Sequence, residues 1–522
     1  QLYKIVQFHG GLNSNSDARD IAENELSDAT DVMVDELGKI RMMGGTPAQG
    51  TAARPNAITS GYGLFQFSHD RIDGHTAGSG AETGADYMVF SDSDTTGVVS
   101  IYSAEDTTWA NPITGLTDNT SGTGQRKDVF YIVDGALRVC DSEFGNANSN
   151  KWYGYVDRTH FGSLTPGGGA DAYDTWLVAN AEIAAPTRGI AGDLNILSAD
   201  GTDADTITES GWFSGWSGEI NQNHLALNGT ENKVADIDTY TSANAVDTTN
   251  PQPSSIGDWT SDQVKLFPPA GTGFNVQIYD DSTTVSPGVT AGTYEVASTF
   301  IYDAEPGDPS GKDQESVLFK LAMKTFTVDA EDQITLAVQA TSPYSGRITG
   351  GRLYMRIVNS GDPWNQIAEI SLKDGVRLSP NDSYTSWSIT NDTNNDTSVC
   401  LLHNNLYISE LLPITYEMNA GINQDATSNT AKYKTAVVAN RIAYIGNVQY
   451  DGTIYGDAVF KSPVNKFDVF SADRRLEANI NDGDSIVKLE AYADRLLMFK
   501  KNKLELLNIS QEVEFVEDTF MH

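Results

Sequence analysis

Cysteine is almost missing from this chain: Cys140 and Cys400 are the only two in 522 residues. Two thiols build neither a disulfide framework nor a zinc site, and each falls in or beside an apolar run where it packs as a small core residue. Long apolar stretches are missing too. Nothing approaches the roughly 18 consecutive apolar residues of a membrane-spanning helix, and no charged-then-apolar leader opens the chain. The seven histidines form no His-x-x-x-His pair, and none stands at ligand spacing from a cysteine. Gly167-Gly168-Gly169 runs into Ala170-Asp171, without the Lys-Ser or Lys-Thr that completes a phosphate loop. Positive charge is the largest deficit, with 34 Lys and Arg against 71 Asp and Glu, a net charge of −37. Such a surface does not grip phosphate backbones broadly, because that affinity comes from cationic neutralisation and counterion release. Two readings of the acidity stay open: a highly solvated surface, or a wall along which DNA slides without sticking.

Oxygen-rich turns give no firm metal site either. Asp92-Ser93-Asp94-Thr95-Thr96-Gly97 imitates the start of a calcium loop, but its twelfth position is Ser103, which supplies no bidentate carboxylate. Asp200-Gly201-Thr202-Asp203-Ala204-Asp205 could also gather oxygens, and His69 with His75 reads as a surface pair. Ser103 to Trp109 is a poor aspartate box, with Thr107 in place of glycine. The expectation is therefore no metal, no cofactor and no catalytic residue.

What the chain does contain is strands. Five stretches share an apolar strand, a two-residue polar turn and an alternating strand: Phe130 to Val139 around Asp134-Gly135, Leu401 to Ile408 around Asn404-Asn405, Val437 to Ile445 around Asn440-Arg441, Leu489 to Phe499 around Asp494-Arg495, and Met498 to Leu507 around Asn502-Lys503. Asp-Gly and Asn-Asn tolerate the positive φ of tight hairpin turns, and period-2 alternation buries one face. The later copies recur at roughly 35 to 55 residues, the period of one four-stranded blade of a β-propeller. Between about 270 and 375, strands such as Gly292 to Tyr302 and Arg352 to Val358 alternate without cysteines, as a disulfide-free β-sandwich does. The fold expected is all-β: a β-propeller with an inserted immunoglobulin- or fibronectin-like β-sandwich. Its parts are an N-terminal strand and hairpin segment over 1–45, blades over 46–185, an inserted region over 186–385, and blades over 386–522 that are expected to be incomplete at the C-terminus. Within the insert, the run from Gly192 to Asp262 is polar with little periodicity. Trp109 and Trp152 are expected to fill wedges between blades.

The opening segment carries a recognisable order: Phe8-His9-Gly10-Gly11-Leu12-Asn13, Asp17 with Arg19, Asn24-Glu25-Leu26, Asp28 to Asp35, and Gly38-Lys39-Ile40-Arg41 ahead of Gly44-Gly45. This resembles the tail nozzle, or tail tubular protein B, family of short-tailed bacteriophages and its head-completion stabilisation relatives. Tyr294 to Tyr302 with Gln314-Glu315-Ser316 is similar to that family's inserted sandwich, and Tyr492 to Phe499 continuing to Asn508-Ile509-Ser510 to its blades. The matching stretches cover about a quarter of the chain.

The resemblance implies a structural virion protein, not an enzyme, assembled in the host cytoplasm into a ring of six copies below the portal and adaptor. Double-stranded DNA would pass through the axial channel during genome retention and ejection without specific binding. Six chains would carry roughly 222 excess negative charges, and wall and DNA would repel within a Debye length of about 8 to 10 Å. Phe8, Gly10, Gly11, Asp17, Arg19, Asp35, Arg41 and Gly45 are the expected assembly residues. Two rivals remain: a propeller glycosidase or sialidase-like hydrolase, which needs paired carboxylates about 5 to 10 Å apart, and a secreted, calcium-stabilised adhesin or lectin.

Overall fold

The structure, a computed structural model, describes residues 129–140, 150–156, 175–192, 273–323, 326–329, 331–341, 344–387, 389–393, 398–477, 483–510 and 515–521, with separate shorter pieces between 11 and 116 and between 197 and 267. The chain divides into two units. In the smaller, which holds Gln1–Ala53 and Asp106–Trp109, Gly11–Leu12 runs parallel to Glu25–Leu26 and Val32–Val34 pairs antiparallel with Ile40–Met42.

Among its described residues, the larger unit is all-β apart from one short helix, Tyr416–Ala420, and a 3-10 turn, Ala472–Arg474. Four of its sheets are four-stranded antiparallel meanders. The first contains Gly61–His69, Ala85–Asp92, Val99–Ser103 and, from the strand Thr108–Ile113, residues 110–113, and the second Val129–Val133, Ala136–Cys140, Lys151–Val156 and Thr175–Asn180. The third contains Lys432–Ala439, Ile442–Tyr450, Thr453–Lys461 and Arg475–Glu477, and the fourth Ile486–Tyr492, Arg495–Lys500, Lys503–Asn508 and Phe515–Met521. Apolar cores join them in series. Val99 and Ile101 of the first meander pack with Leu137, Val139 and Tyr153 of the second. Tyr131 and Cys140 pack with Tyr433, Ile445 and Phe460 of the third, and Tyr444 and Val459 pack with Leu489, Leu496 and Met498 of the fourth. Burying each such aromatic or large aliphatic side chain contributes about 1.5–3 kcal/mol.

Turn chemistry explains the tight hairpins. Asp134-Gly135 has φ of 49° and 69°, and Asn440-Arg441 has 50° and 62°, so both central residues are left-handed and the strands keep their natural twist. The expected turns at Asp494-Arg495 and Asn502-Lys503 lie one residue earlier, since Tyr492 pairs with Arg495 and Phe499 with Leu504. Alternation decides this register: a one-residue slip would turn Leu489, Leu496 and Met498 away from the third meander. Asp484 holds the later turn by accepting from the Lys501 and Asn502 amides, both at 3.0 Å.

Leu401 to Ile408 is not a hairpin. Ser398–Ile408 is one continuous strand between Asp332–Thr341 and Ile389–Thr393, and Asn404-Asn405 sits at a bulge where the pairing steps from Leu336↔Leu406 to Val338↔His403. Pairing with Asp332–Thr341 continues on either side of the bulge, from Cys400 to His403 and from Leu406 to Ile408, so the Asn-Asn pair kinks the strand instead of reversing it. Meander strands resume at Lys432, not at 386.

Between the second and third meanders in sequence lies a two-layer body whose sheets share one apolar core. One sheet is ordered Ala322–Met323, Ile190–Gly192, Phe274–Val289, Asp332–Thr341, Ser398–Ile408, Ile389–Thr393. The other centres on Gly292–Tyr302, Ile348–Ile357 and Asn365–Ser371, with Gln314–Glu315 and Gly375–Arg377 outside them. Phe274 and Phe300 meet edge to face at 5.4 Å in the core. A methyl group on Gly351 would collide with the Thr299 carbonyl and the Phe274 ring. Gly351→Ala is expected to lower the denaturant midpoint by the equivalent of about 1–3 kcal/mol; an unchanged midpoint would mean that this core repacks freely.

The polar run from Gly192 to Asp262 is also, in its described segments, built of strands. With Gln263–Phe267 it makes a six-stranded antiparallel sheet, in which Lys233–Ser242 and Ala245–Gln252 form a hairpin with three register shifts. Those bulges break period 2, which is why alternation did not reveal the strands.

Candidate functional site

The alternation that buries Leu137 and Val139 against the first meander aims Arg138 the opposite way, toward the third. There the Arg138 Nε and Nη2 donate to the two Asp468 oxygens at 3.0 and 2.9 Å, while Nη1 donates to the Val133 and Ala136 carbonyls. Asp468 lies on the loop after Thr453–Lys461. Arg347, just before Ile348–Ile357 in the two-layer body, donates from Nη2 to the same Asp468 at 2.8 Å. It also forks onto Asp303 at 2.8 and 2.7 Å and donates to the Asn180 carbonyl at 2.9 Å. Its guanidinium lies 4.9 Å from the ring centre of Trp152, which packs with Ala136 and Ala181. Gln314 completes the centre, accepting from the Asp468 amide and donating to the Asp468 and Asp303 carboxylates. Two guanidiniums and two carboxylates thus tie the second meander, the third meander and the two-layer body together.

A second centre lies on the sheet of Gly292–Tyr302, Ile348–Ile357 and Asn365–Ser371. Strand register creates it: Arg352 is opposite Thr299 and Glu369, Glu369 is opposite Arg377, and Glu295 is opposite Arg356. Arg352 donates to Glu369 at 2.9 Å, to Glu315 at 2.7 Å, and to Asp313. Arg377 Nε reaches Glu369 at 2.7 Å, and Tyr354 and Thr299 donate to Glu315 at 2.7 and 2.6 Å. Lys466, from the Asp468 loop, donates to the Asp313 carbonyl at 2.7 Å, and Asn465 to the Ser310 carbonyl at 2.8 Å. The segment 303–316 of the two-layer body is therefore seated on the 465–468 loop of the third meander.

Burial sets the electrostatics. It would raise the Asp468 carboxyl, but the adjacent Arg138 and Arg347 guanidiniums outweigh it and hold the group at about 2. Burial likewise opposes ionisation of Asp313, and Arg352 with Lys466 still hold it below the usual carboxylate range. Burial, reinforced by Glu315, pushes the Tyr354 phenol well above its ordinary value. An outer pair, Lys312 with Asp134 at 2.7 Å, is 44% and 43% exposed and is worth no more than about 1 kcal/mol. The buried forks carry the junction.

A cavity of about 10 Å³ lies beside Asp468, lined by Tyr131, Asn150, Ala181, Thr430 and Tyr433 among others. That volume holds about one water, not a sugar ring. Among the described residues, no group of three or more His, Cys, Asp or Glu is arranged to hold a metal ion, and no helix is long and apolar enough to cross a membrane.

Of the assembly residues expected from sequence, Phe8, Gly10, Asp17, Arg19, Asp35 and Gly45 lie outside the described residues, as do 93–98 and 200–205 of the two oxygen-rich turns and the side chain of Trp109. Gly11 pairs with Glu25, and Arg41 is opposite Met33. The two charge centres were not anticipated. A signal existed, in a lone arginine at the inward position of the apolar run Leu137-Arg138-Val139 and in the same-face trio Arg352, Tyr354 and Arg356.

No protein-family model matches the chain, and no curated protein matches it. Among solved structures, it aligns with the extracellular domain of what is described as a hybrid two component system from B. thetaiotaomicron, at 10% identity and a TM-score of 0.13. A second structure, described there as a one component system, aligns at 10% identity and a TM-score of 0.12. Each alignment covers 85% of this chain and 66% of the other, so the chain spans just under two thirds of their length. No inference about fold or function is taken from superpositions of that quality.

Proposed function

We propose that this chain is a structural protein of a short-tailed bacteriophage tail, of the nozzle type, whose copies form a ring around an electronegative channel for the genome. In this reading the four meanders are blades of a β-propeller, and the two-layer body is the immunoglobulin-like sandwich inserted between the second and third blades. The observation that carries it is the series of four-stranded meanders joined by successive apolar cores and interrupted once by a two-sheet body. The order of the opening segment and the net charge of −37 support it. A tail component must transmit load without changing shape, and the buried forks at the insertion point suit that task. A hydrolase would instead need two carboxylates facing each other across a solvent-filled cleft, whereas Asp303, Asp313, Glu315, Glu369 and Asp468 are each closed by a guanidinium.

Mass photometry and negative-stain imaging of the purified chain with a candidate tail adaptor test the proposal. Closed rings containing several copies are expected, together with no retention of double-stranded DNA at physiological salt. A chain that stays monomeric on an adaptor it demonstrably binds would end the proposal.

A further inference from the structure

One carboxylate beside the second centre has no cation of its own. Glu305 opens the tight turn Glu305-Pro306-Gly307-Asp308, closed by the Asp308 amide on the Glu305 carbonyl at 3.0 Å with Gly307 at φ 74°. This turn begins the segment 303–316 that seats the two-layer body on the third meander. The Glu305 Oε2 accepts from Ser371 Oγ at 2.9 Å, and the buried Oε1 has no hydrogen-bond partner. Among the described residues, no charged group nearby hydrogen-bonds to this carboxylate. Arg377 donates to Glu369 and to the Pro306 carbonyl, and the Tyr384 hydroxyl also donates to Pro306. From the turn after Asn365–Ser371, Asp374 repels a Glu305 anion, and Lys373 attracts it without hydrogen bonding to it.

We infer that Glu305 is a proton-operated latch: it holds a proton while the 303–316 segment is seated and releases it when the segment opens. A protonated carboxyl removes the buried, unsolvated anion that this geometry otherwise leaves uncompensated. Burial, with Asp374 adding, pushes the group up to about 7 against the pull of Ser371 and Lys373. The folded value lies above the ordinary 4.5. The latch therefore contributes fully below pH 4.5, weakens as pH rises from there, and contributes nothing further once pH passes about 7. Opening of the segment becomes easier as pH rises from mildly acidic to neutral.

Hydrogen exchange of peptides spanning 303–316, corrected for the intrinsic pH dependence of exchange, reads this directly on the full chain. Linkage predicts an opening constant about tenfold larger at pH 8 than at pH 6. Glu305→Gln, which keeps an acceptor for Ser371 and cannot ionise, is expected to abolish that difference, and Asp374→Asn to reduce it by moving the midpoint down. A wild-type protein whose opening is independent of pH would overturn the inference. So would a Glu305→Gln variant that keeps the tenfold change, and Asp374→Asn supplies an independent reading should Glu305→Gln not fold.

Discussion

Arg347→Ala is expected to destabilise the chain by about 3–5 kcal/mol, the cost of leaving a buried charge without its partner. The substitution strips Asp303 of its fork, takes from Asp468 one of two guanidiniums, and removes a hydrogen bond to the Asn180 carbonyl at the point where the chain leaves the second meander. Arg347→Lys keeps the charge but not the fork, so it should fall between wild type and alanine. In a double-mutant cycle, Arg347→Ala with Asp303→Ala should cost less than the sum of the two single changes, because removing both partners leaves no stranded charge there. Urea unfolding of the wild type and the four variants, followed by circular dichroism, measures each loss. A loss below about 1 kcal/mol would place this centre with surface ion pairs.

The pH dependence of the same centre has a definite sign. The Asp468 carboxyl is held at about 2, below its ordinary 3.8. Its contribution is therefore present above pH 3.8 and lost as pH falls through about 2. In Arg347→Ala, with one guanidinium gone, that loss should begin at higher pH and acid unfolding should start earlier. This limb is opposite in direction to that of Glu305, so stability should decline at both ends of the range for separate reasons.

Arg352→Ala carries the second large effect, also about 3–5 kcal/mol. Arg352 serves three carboxylates at once, and with it gone Asp313, Glu315 and Glu369 share only Arg377 and Lys466. The excess anion would sit where Arg352 is 2% and Glu315 0% exposed. Glu315→Gln is the informative partner: it removes one of those anions, so combined with Arg352→Ala it should restore part of the loss. Thermal melts of the four proteins decide the matter. An additive double variant would show that Arg352 and Glu315 do not act as a pair.

Some of this architecture was legible from local pattern. Asp134-Gly135 and Asn440-Arg441 stand between alternating apolar runs, and a two-residue left-handed turn is the cheapest way to join them. Leu401 to Ile408 shows the limit of that reasoning. Asn404-Asn405 has turn chemistry, yet Asp332–Thr341 pairs with the chain both before and after it, and a bulge results. The polar sheet between 197 and 267 was missed because its longest hairpin changes register three times. The charge centres were illegible for a different reason. Arg138 and Asp468 are 330 residues apart, and Arg347 and Asp468 are 121 apart. No local spacing encodes such pairs.

By itself, the sequence determined that the chain is strand-rich, cysteine-poor and strongly acidic, and it marked the hairpins at Asp134-Gly135 and Asn440-Arg441. Those properties depend on neighbours along the chain. Only the tertiary structure decided which meanders pack together, that the two-layer body is bolted to two of them, and that a handful of arginines inside an acidic protein are its fasteners. A guanidinium becomes a fastener when packing removes water from it and brings carboxylates from remote segments within hydrogen-bond reach, and that happens only in three dimensions.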